Sequence, residues 1–151
     1  TDLETILFDE SQDMLNLAQG YISQNGLDSR VKTLLGDVHD MPLEDESVNL
    51  VVSRGSMFFW ENRVQAFREV YRVLAVGGAG MIGGGFGNAE LLREIEIKML
   101  KKDPEWKEKR QQRIGQTKVE EYRKELEQAG ISSFEITRDE AGLWITISKT
   151  A

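Results

Sequence analysis

Residues 4–37 read ETILFDESQDMLNLAQGYISQNGLDSRVKTLLGD, and the order of patterns in this stretch decides the fold. Glu4-Thr5-Ile6-Leu7-Phe8 is a short apolar run closing on Asp9, which reads as a buried strand, and Ser11 can cap a following helix. From Met14 the apolar residues fall at Met14, Leu15, Ala18, Tyr21 and Ile22, one face of a 3.6-residue repeat. Asn25-Gly26 then supplies a left-handed stop. Val31 to Leu35 is a second apolar run, closed by Gly36-Asp37. Strand, helix and strand within about 30 residues make a βαβ unit, with parallel strands and a right-handed crossover.

Downstream, residues 36–47 hold Pro42 and five acids and read as a loop. A third strand follows over Val48 to Ser53. It leads through Arg54-Gly55-Ser56-Met57-Phe58-Phe59-Trp60 into a helix whose buried stripe is Val64, Phe67, Val70, Tyr71 and Leu74, ended by Gly77-Gly78. A fourth strand spans Ala79 to Gly85. Its glycines at 80, 83, 84 and 85 are costly in strand entropy, so close approach of another group to that backbone is expected. Asn88 can cap a helix from Ala89 to Lys102, and Asp103-Pro104 restarts one carrying Trp106. Thr117-Lys118-Val119-Glu120 has capping-box spacing ahead of a face formed by Val119, Tyr122, Leu126 and Ala129, with Gly130 as the stop. Ser133 to Thr137 and Leu143 to Ser148 flank a short turn and predict an antiparallel hairpin. The expected class is α/β, a mostly parallel sheet with a terminal antiparallel hairpin. No internal repeat or linker interrupts it, so residues 1–151 are read as one domain.

The length of 151 residues suits a single core. With no Cys, thiol catalysis, Fe–S ligation and disulfides are all excluded. At 30% charged residues, and with no apolar run near the ~20 residues of a membrane span, a globular cytoplasmic protein without membrane partners is expected. Residues 1–60 hold 11 acids and 3 bases, against 15 and 16 in residues 61–151, so the first half repels phosphate backbones. Nucleic acid is therefore not an expected partner. The basic patch of Lys101, Lys102, Lys107, Lys109, Arg110 and Arg113 is interleaved with Asp103, Glu105 and Glu108 and reads as a solvated helical face.

Candidate site residues follow from position. A carboxylate just after a buried parallel strand sits at the carboxyl edge, where open α/β sheets bind ligands, and Asp9 and Asp37 both occupy such positions. Asp9 could accept both hydroxyls of a ribose, or merely assist Ser11 in capping the helix. Asp37 could read an exocyclic amine beside a backbone N–H, or simply shape a turn. His39, the single histidine, has no nucleophile or metal partner near it in sequence and reads as a surface or supporting group. The run Gly83-Gly84-Gly85-Phe86-Gly87-Asn88 fails as a phosphate loop, because Asn88 stands where the third glycine belongs. Met57-Phe58-Phe59-Trp60 could wall an apolar pocket or pack a helix. Asp40, Glu44, Asp45 and Glu46 lack calcium-loop spacing, and no metal site is expected.

Taken in order, three motifs resemble class I S-adenosylmethionine-dependent methyltransferases of the small-molecule, type 11-like branch. They are Phe8-Asp9-Glu10-Ser11-x-x-Met14-Leu15-x-x-Ala18; Gly36-Asp37-Val38-x-x-Met41-Pro42-Leu43-x-Asp45-x-Ser47-Val48-x-Leu50-Val51-x-Ser53; and Phe67-Arg68-Glu69-Val70-x-Arg72-Val73-Leu74-x-x-Gly77-Gly78. The resemblance spans residues 4–86 and implies a Rossmann-like fold, S-adenosylmethionine as cofactor and a small-molecule acceptor. It implies cofactor contacts from Asp9, Glu10, Met14, Asp37, Val38, Ser53 and Arg54. Asp9 would hold the ribose hydroxyls, Asp37 and Val38 the adenine, and Ser53 with Arg54 would lie near the methionine part. It assigns no catalytic residue.

One departure accompanies the match. The family's central first strand and glycine-rich loop should precede the strand ending at Asp9. Their absence leaves three expectations: the sequence is a fragment of a longer chain, which is the preferred reading; a second copy completes the sheet as a homodimer; or the sheet closes up. An enzyme is the leading function, and a cofactor-incompetent binding module acting through dimerisation is the alternative. A nicotinamide dehydrogenase fragment fits less well, because the hairpin and the Gly-Asp-Val loop have no role there. The acceptor pocket is expected from residues 54–62 and 88–116, with Trp60, Phe86 and Trp106 as walls.

Overall fold

Ser11 starts the first helix as its position predicts, its Oγ accepting the Met14 N–H at 3.4 Å. In the computed structural model, which describes residues 3–151, the chain divides after Pro42 into two compact units. The first unit contains β1 (Thr5–Asp9), α1 (Gln12–Gln24) and β2 (Val31–Leu35). β1 and β2 pair in parallel from Thr5↔Val31 to Asp9↔Leu35, and the Gly36 N–H extends the ladder to the Asp9 carbonyl at 3.1 Å. Both carboxyl ends therefore finish level. At the exit of β2 only glycine fits, because a Cβ on Gly36 would stand 2.7 Å from Phe8 Cε2 and 2.9 Å from Pro42 Cδ.

The buried stripe of α1 is narrower than its apolar pattern suggests. Leu15 and Ile22 are buried, while Met14 and Tyr21 are 54% and 68% exposed. Residues seven apart lie nearly on one line of a helix, and the residue before each is turned away by about 100°.

The second unit runs from Leu43 to Ala151. It holds β3 (Val48–Arg54), a 3₁₀ turn (Met57–Phe59), α2 (Arg63–Val73), β4 (Leu74–Gly85), α3 (Ala89–Leu100), α4 (Trp106–Ile114), α5 (Gln116–Gln128), β5 (Phe134–Arg138) and β6 (Gly142–Ser148). The sheet order is β3-β4-β6-β5, with β3 and β4 parallel and β6 antiparallel to both β4 and β5. The expected α/β class and terminal antiparallel hairpin are borne out. Phe67, Val73, Leu74, Ile82, Ile145 and Ile147 are fully buried at the centre of this unit. Each such side chain contributes roughly 1.5–3 kcal/mol through burial.

Three expected boundaries move. α2 does not continue to Gly77-Gly78; it ends at Val73, and Leu74 is already extended and paired with Val48. The β3–β4 register jumps from Val48↔Leu74 to Leu50↔Ala79, so Gly77, at φ 82°, turns an irregularity inside a strand instead of stopping a helix. α4 begins at Trp106, two residues beyond Pro104, after Asp103 Oδ1 accepts the Glu105 N–H. α5 begins at Gln116, so Thr117 lies inside the first turn and caps nothing. The break is made by Gly115, where a Cβ would sit 2.5 Å from the Gln111 carbonyl oxygen.

Close neighbours within the fold explain the strand glycines Gly83, Gly84 and Gly85, whereas a Cβ on Gly80 would meet nothing nearer than 3.6 Å. A Cβ on Gly83 would lie 2.2 Å from the Leu143 carbonyl oxygen on β6, and one on Gly84 would lie 3.0 Å from Phe58. Among the described strands β1 pairs only with β2, and β3 only with β4. The strands thus form two sheets, and the expectation of a single closed-up sheet is not met. No described helix is long and apolar enough to cross a membrane.

Candidate cofactor and acceptor site

The first group of candidate residues gathers at the level carboxyl ends of β1 and β2. Asp9 Oδ1 accepts the Ser11 N–H at 2.8 Å, so this carboxylate does support the start of α1. Its second oxygen has no hydrogen-bond partner among the described residues, which leaves an acceptor for a hydroxyl donor. Glu10 follows it, exposed. Asp37 Oδ1 accepts the His39 N–H at 2.8 Å and lies 2.5 Å from His39 Nδ1. The backbone hydrogen bond from His39, and then the one from its ring, hold the Asp37 carboxyl below the usual carboxylate range. His39 is therefore an orienting partner of Asp37. The Asp40 N–H closes the turn on the Asp37 carbonyl at 3.1 Å. Val38, half-buried between them, has an N–H with no acceptor among the described residues. A carboxylate oxygen and a neighbouring free N–H form the acceptor–donor pair that the amino group and ring nitrogen of an adenine require. Met14 stands apart, exposed on α1.

Ser53 and Arg54 belong to the second unit, at the carboxyl end of β3. Ser53 Oγ lies 2.6 Å from Ser56 Oγ, and Arg54 Nη2 donates to the Gly85 carbonyl at 3.0 Å. Arg54 also opens onto a cavity of about 610 Å³ that reaches from the 3₁₀ turn to α4. Phe58, Phe59, Phe86 and Trp106 supply its aromatic wall. Phe86 and Trp106 contact one another with ring centroids 5.6 Å apart. The expectation that Phe86 and Trp106 would wall a pocket agrees with this cavity. Trp60 does not line it; its ring packs edge-on against Phe67 at 5.8 Å, and Met57 is fully buried. The aromatic cluster thus divides between pocket and packing. Among the described residues, no group of three or more His, Asp or Glu side chains is placed to hold a metal.

Residues 3–82 match the family described as methyltransferase domain. The chain belongs to that family. This methyltransferase domain is 33% identical over 78 residues to 2-methyl-6-phytyl-1,4-hydroquinone methyltransferase 1, chloroplastic, of Oryza sativa subsp. japonica, covering 52% of this chain and 22% of that protein. It is 26% identical over 146 residues to the arsenite methyltransferase of Halobacterium salinarum, covering 96% of this chain and 35% of the relative. A solved structure from Methanococcus maripaludis, described as a candidate S-adenosyl-L-methionine-dependent methyltransferase, superposes with a TM-score of 0.89 at 46% identity. That likeness covers 97% of this chain and 67% of the other. The chain spans well under half the length of these two curated relatives. The resemblance read from the Asp9, Gly36-Asp37 and Phe67 motifs is borne out, and so is the Rossmann-like fold.

Two cavity residues of the methyltransferase domain do not stand out in its sequence. By composition Arg110 and Arg113 belong to a solvated basic face, yet both line the cavity. The signal was present in the spacing: Trp106, Arg110 and Arg113 fall at i, i+4 and i+7, one helical stripe. Of the lysines in the same patch, Lys107 and Lys109 are held in ion pairs, although Lys109 also reaches the cavity. Lys107 pairs with Glu96, and Lys109 with Asp103 at 2.8 Å and Glu105 at 3.3 Å.

Proposed function

We propose that this chain carries the adenosine-binding carboxylates and the acceptor cavity of an S-adenosylmethionine-dependent methyltransferase acting on a small molecule. One observation supports the reading above the others. Asp9 closes β1 and Asp37 stands two residues past the end of the adjacent parallel β2, each with an oxygen free of partners among the described residues, beside the unengaged Val38 N–H. In the proposed roles Asp9 accepts from the ribose hydroxyls, while Asp37 and the Val38 N–H engage the adenine. Glu10 and Met14 are assigned cofactor contacts by the family resemblance alone. Ser53 and Arg54 are assigned to the methionine part.

When bound, the cofactor supplies a methyl group already activated as an electrophile by its sulfonium. The chain's own residues then have two tasks, to hold the acceptor in line and to keep water away. The aromatic wall of the cavity suits both, since it offers a flat apolar surface to an acceptor. No side chain of the cavity is needed as a nucleophile.

Titration calorimetry with S-adenosylmethionine tests the adenosine roles. Asp37→Ala is expected to weaken binding at least tenfold while leaving the fold intact, because Asp37 is an exposed turn residue. Unchanged affinity would remove Asp37 from the site.

A further inference from the structure

The cavity beside α4 carries a charge pattern that a generic apolar acceptor does not require. Four cations line it, Arg54, Lys109, Arg110 and Arg113, against one carboxylate, Asp103, which is already paired with Lys109. None of the three arginines has a carboxylate within ion-pair distance among the described residues. This happens in a chain whose net charge is −7. A guanidinium in a surface of that composition normally finds an acid, as Arg63 does with Glu121 and Glu125 and Arg72 does with Glu69 and Asp45.

The arginines are instead positioned by aromatic faces and carbonyls. Arg113 Cζ lies 4.7 Å from the Phe59 ring centroid, and Arg110 Cζ lies 5.9 Å from that of Phe86. Arg110 Nη2 donates to the Glu140 carbonyl, and its Nε is buried with no acceptor among the described residues. Burial, and then repulsion from Arg138, lower the pKa of Arg110. A buried N–H without a partner is costly, and the expense is recovered when an anionic acceptor arrives. The stacking holds each fork in place before it does.

We propose that this cavity binds a methyl acceptor built as a flat aromatic body bearing a carboxylate or phosphate group. The body lies against Phe58, Phe86 and Trp106, and the anion is taken by Arg110 and Arg113. A volume of about 610 Å³ is within the range of small-molecule sites, roughly 300–1,000 Å³. A planar guanidinium fork matches either anion in bidentate fashion, which an ammonium does not. The assignment of this ligand as the acceptor rests on the methyl-transfer reading, whereas the anion preference of the cavity does not.

Calorimetry on the full chain separates the two. The probes are 2-naphthoate, 2-naphthyl phosphate and the neutral 2-naphthamide, which share one ring system. At low salt at least one anion is expected to bind ten or more times more tightly than the amide. The comparison between naphthoate and naphthyl phosphate identifies which anion the forks prefer. Arg110→Gln and Arg113→Gln should each cut that preference at least threefold while amide affinity stays within twofold. The unchanged amide affinity shows that the cavity is still folded. Equal binding of all three probes, no binding of any, or a preference that survives both substitutions would overturn the proposal. S-Adenosylhomocysteine titrated alone is the independent arm. If it fails to bind while the anion preference holds, methyl transfer falls and the anion site stands. If it binds while no anion preference exists, the reverse follows.

Discussion

The two compact units of this chain bring opposite charges to their candidate sites. Up to Pro42 there are 8 acids and 2 bases, and the groups at the strand ends are carboxylates. From Leu43 onward 18 acids and 17 bases nearly balance, and the cavity is lined by guanidiniums. The difference is not one of bulk electrostatics, since most acids of the second unit lie outside the cavity or are tied into ion pairs. Glu121 and Glu125 hold Arg63 across α2 and α5, and Glu69 and Asp45 hold Arg72 beside the acidic loop. Local pairing removes their charge from the surface and leaves the cavity arginines unmatched. The first unit thus presents acceptors suited to hydroxyls and an amine, the second donors suited to an anion.

The largest effect separates the units by stability. Phe67 is fully buried in the second unit, and Phe67→Ala should cost about 3–5 kcal/mol there. Hydrogen exchange should show protection lost in β4 and β6. If β1 and β2 lose the same free energy, the units unfold as one body and the comparison is thermodynamically empty. Next in size is Asp9→Ala, which removes charge-assisted hydrogen bonds worth roughly 1.5–3 kcal/mol, about tenfold or more in S-adenosylmethionine affinity. An unchanged dissociation constant would show that Asp9 serves α1 alone.

A smaller pair of substitutions contrasts two helix starts within the second unit. Asn88 Oδ1 accepts the Leu91 N–H at 2.9 Å, whereas Thr117 caps nothing. Asn88→Ala should cost about 1 kcal/mol in denaturant unfolding, and Thr117→Ala less than about 0.5. Equal losses would restore the capping-box reading.

The smallest effect concerns pH. His39 helps hold the folded-state pKa of Asp37 below its unfolded value. The associated stability is present above the unfolded pKa and is lost as pH falls through the folded one. In His39→Ala the ring hydrogen bond disappears while the backbone N–H at 39 remains, so the Asp37 midpoint should rise part of the way to an ordinary carboxylate. Carboxyl-carbon NMR titration reads this directly, and an unmoved midpoint would mean that the ring contributes nothing.

Much of this arrangement was legible because local chemistry and tertiary role agree. Ser11, Asn88, Gly26 and Gly130 sit at helix ends where capping alone places them, and Asp9 and Asp37 follow apolar runs that really are parallel strands. Reading failed where a tertiary contact overrode a local cue. Thr117-Lys118-Val119-Glu120 has the spacing of a capping box, but the chain turns at Gly115 because only glycine clears the Gln111 carbonyl. Gly77-Gly78 looks like a helix stop, but Leu74 has already joined β3. Arg110 and Arg113 looked like solvated charge because a composition count cannot see that their stripe also carries Trp106. Gly83, Gly84 and Gly85 of β4 do mark close approach, by Phe58 and the β5–β6 hairpin, while Gly80 does not.

Native mass spectrometry of the purified chain, incubated with excess S-adenosylmethionine and exchanged into volatile buffer, reads cofactor binding without any assumption about the acceptor. One cofactor, or its demethylated product, is expected per chain, with retention lost in Asp9→Ala and Asp37→Ala. A folded chain that retains none, whether as a monomer or as a higher oligomer, would rule the cofactor assignment out.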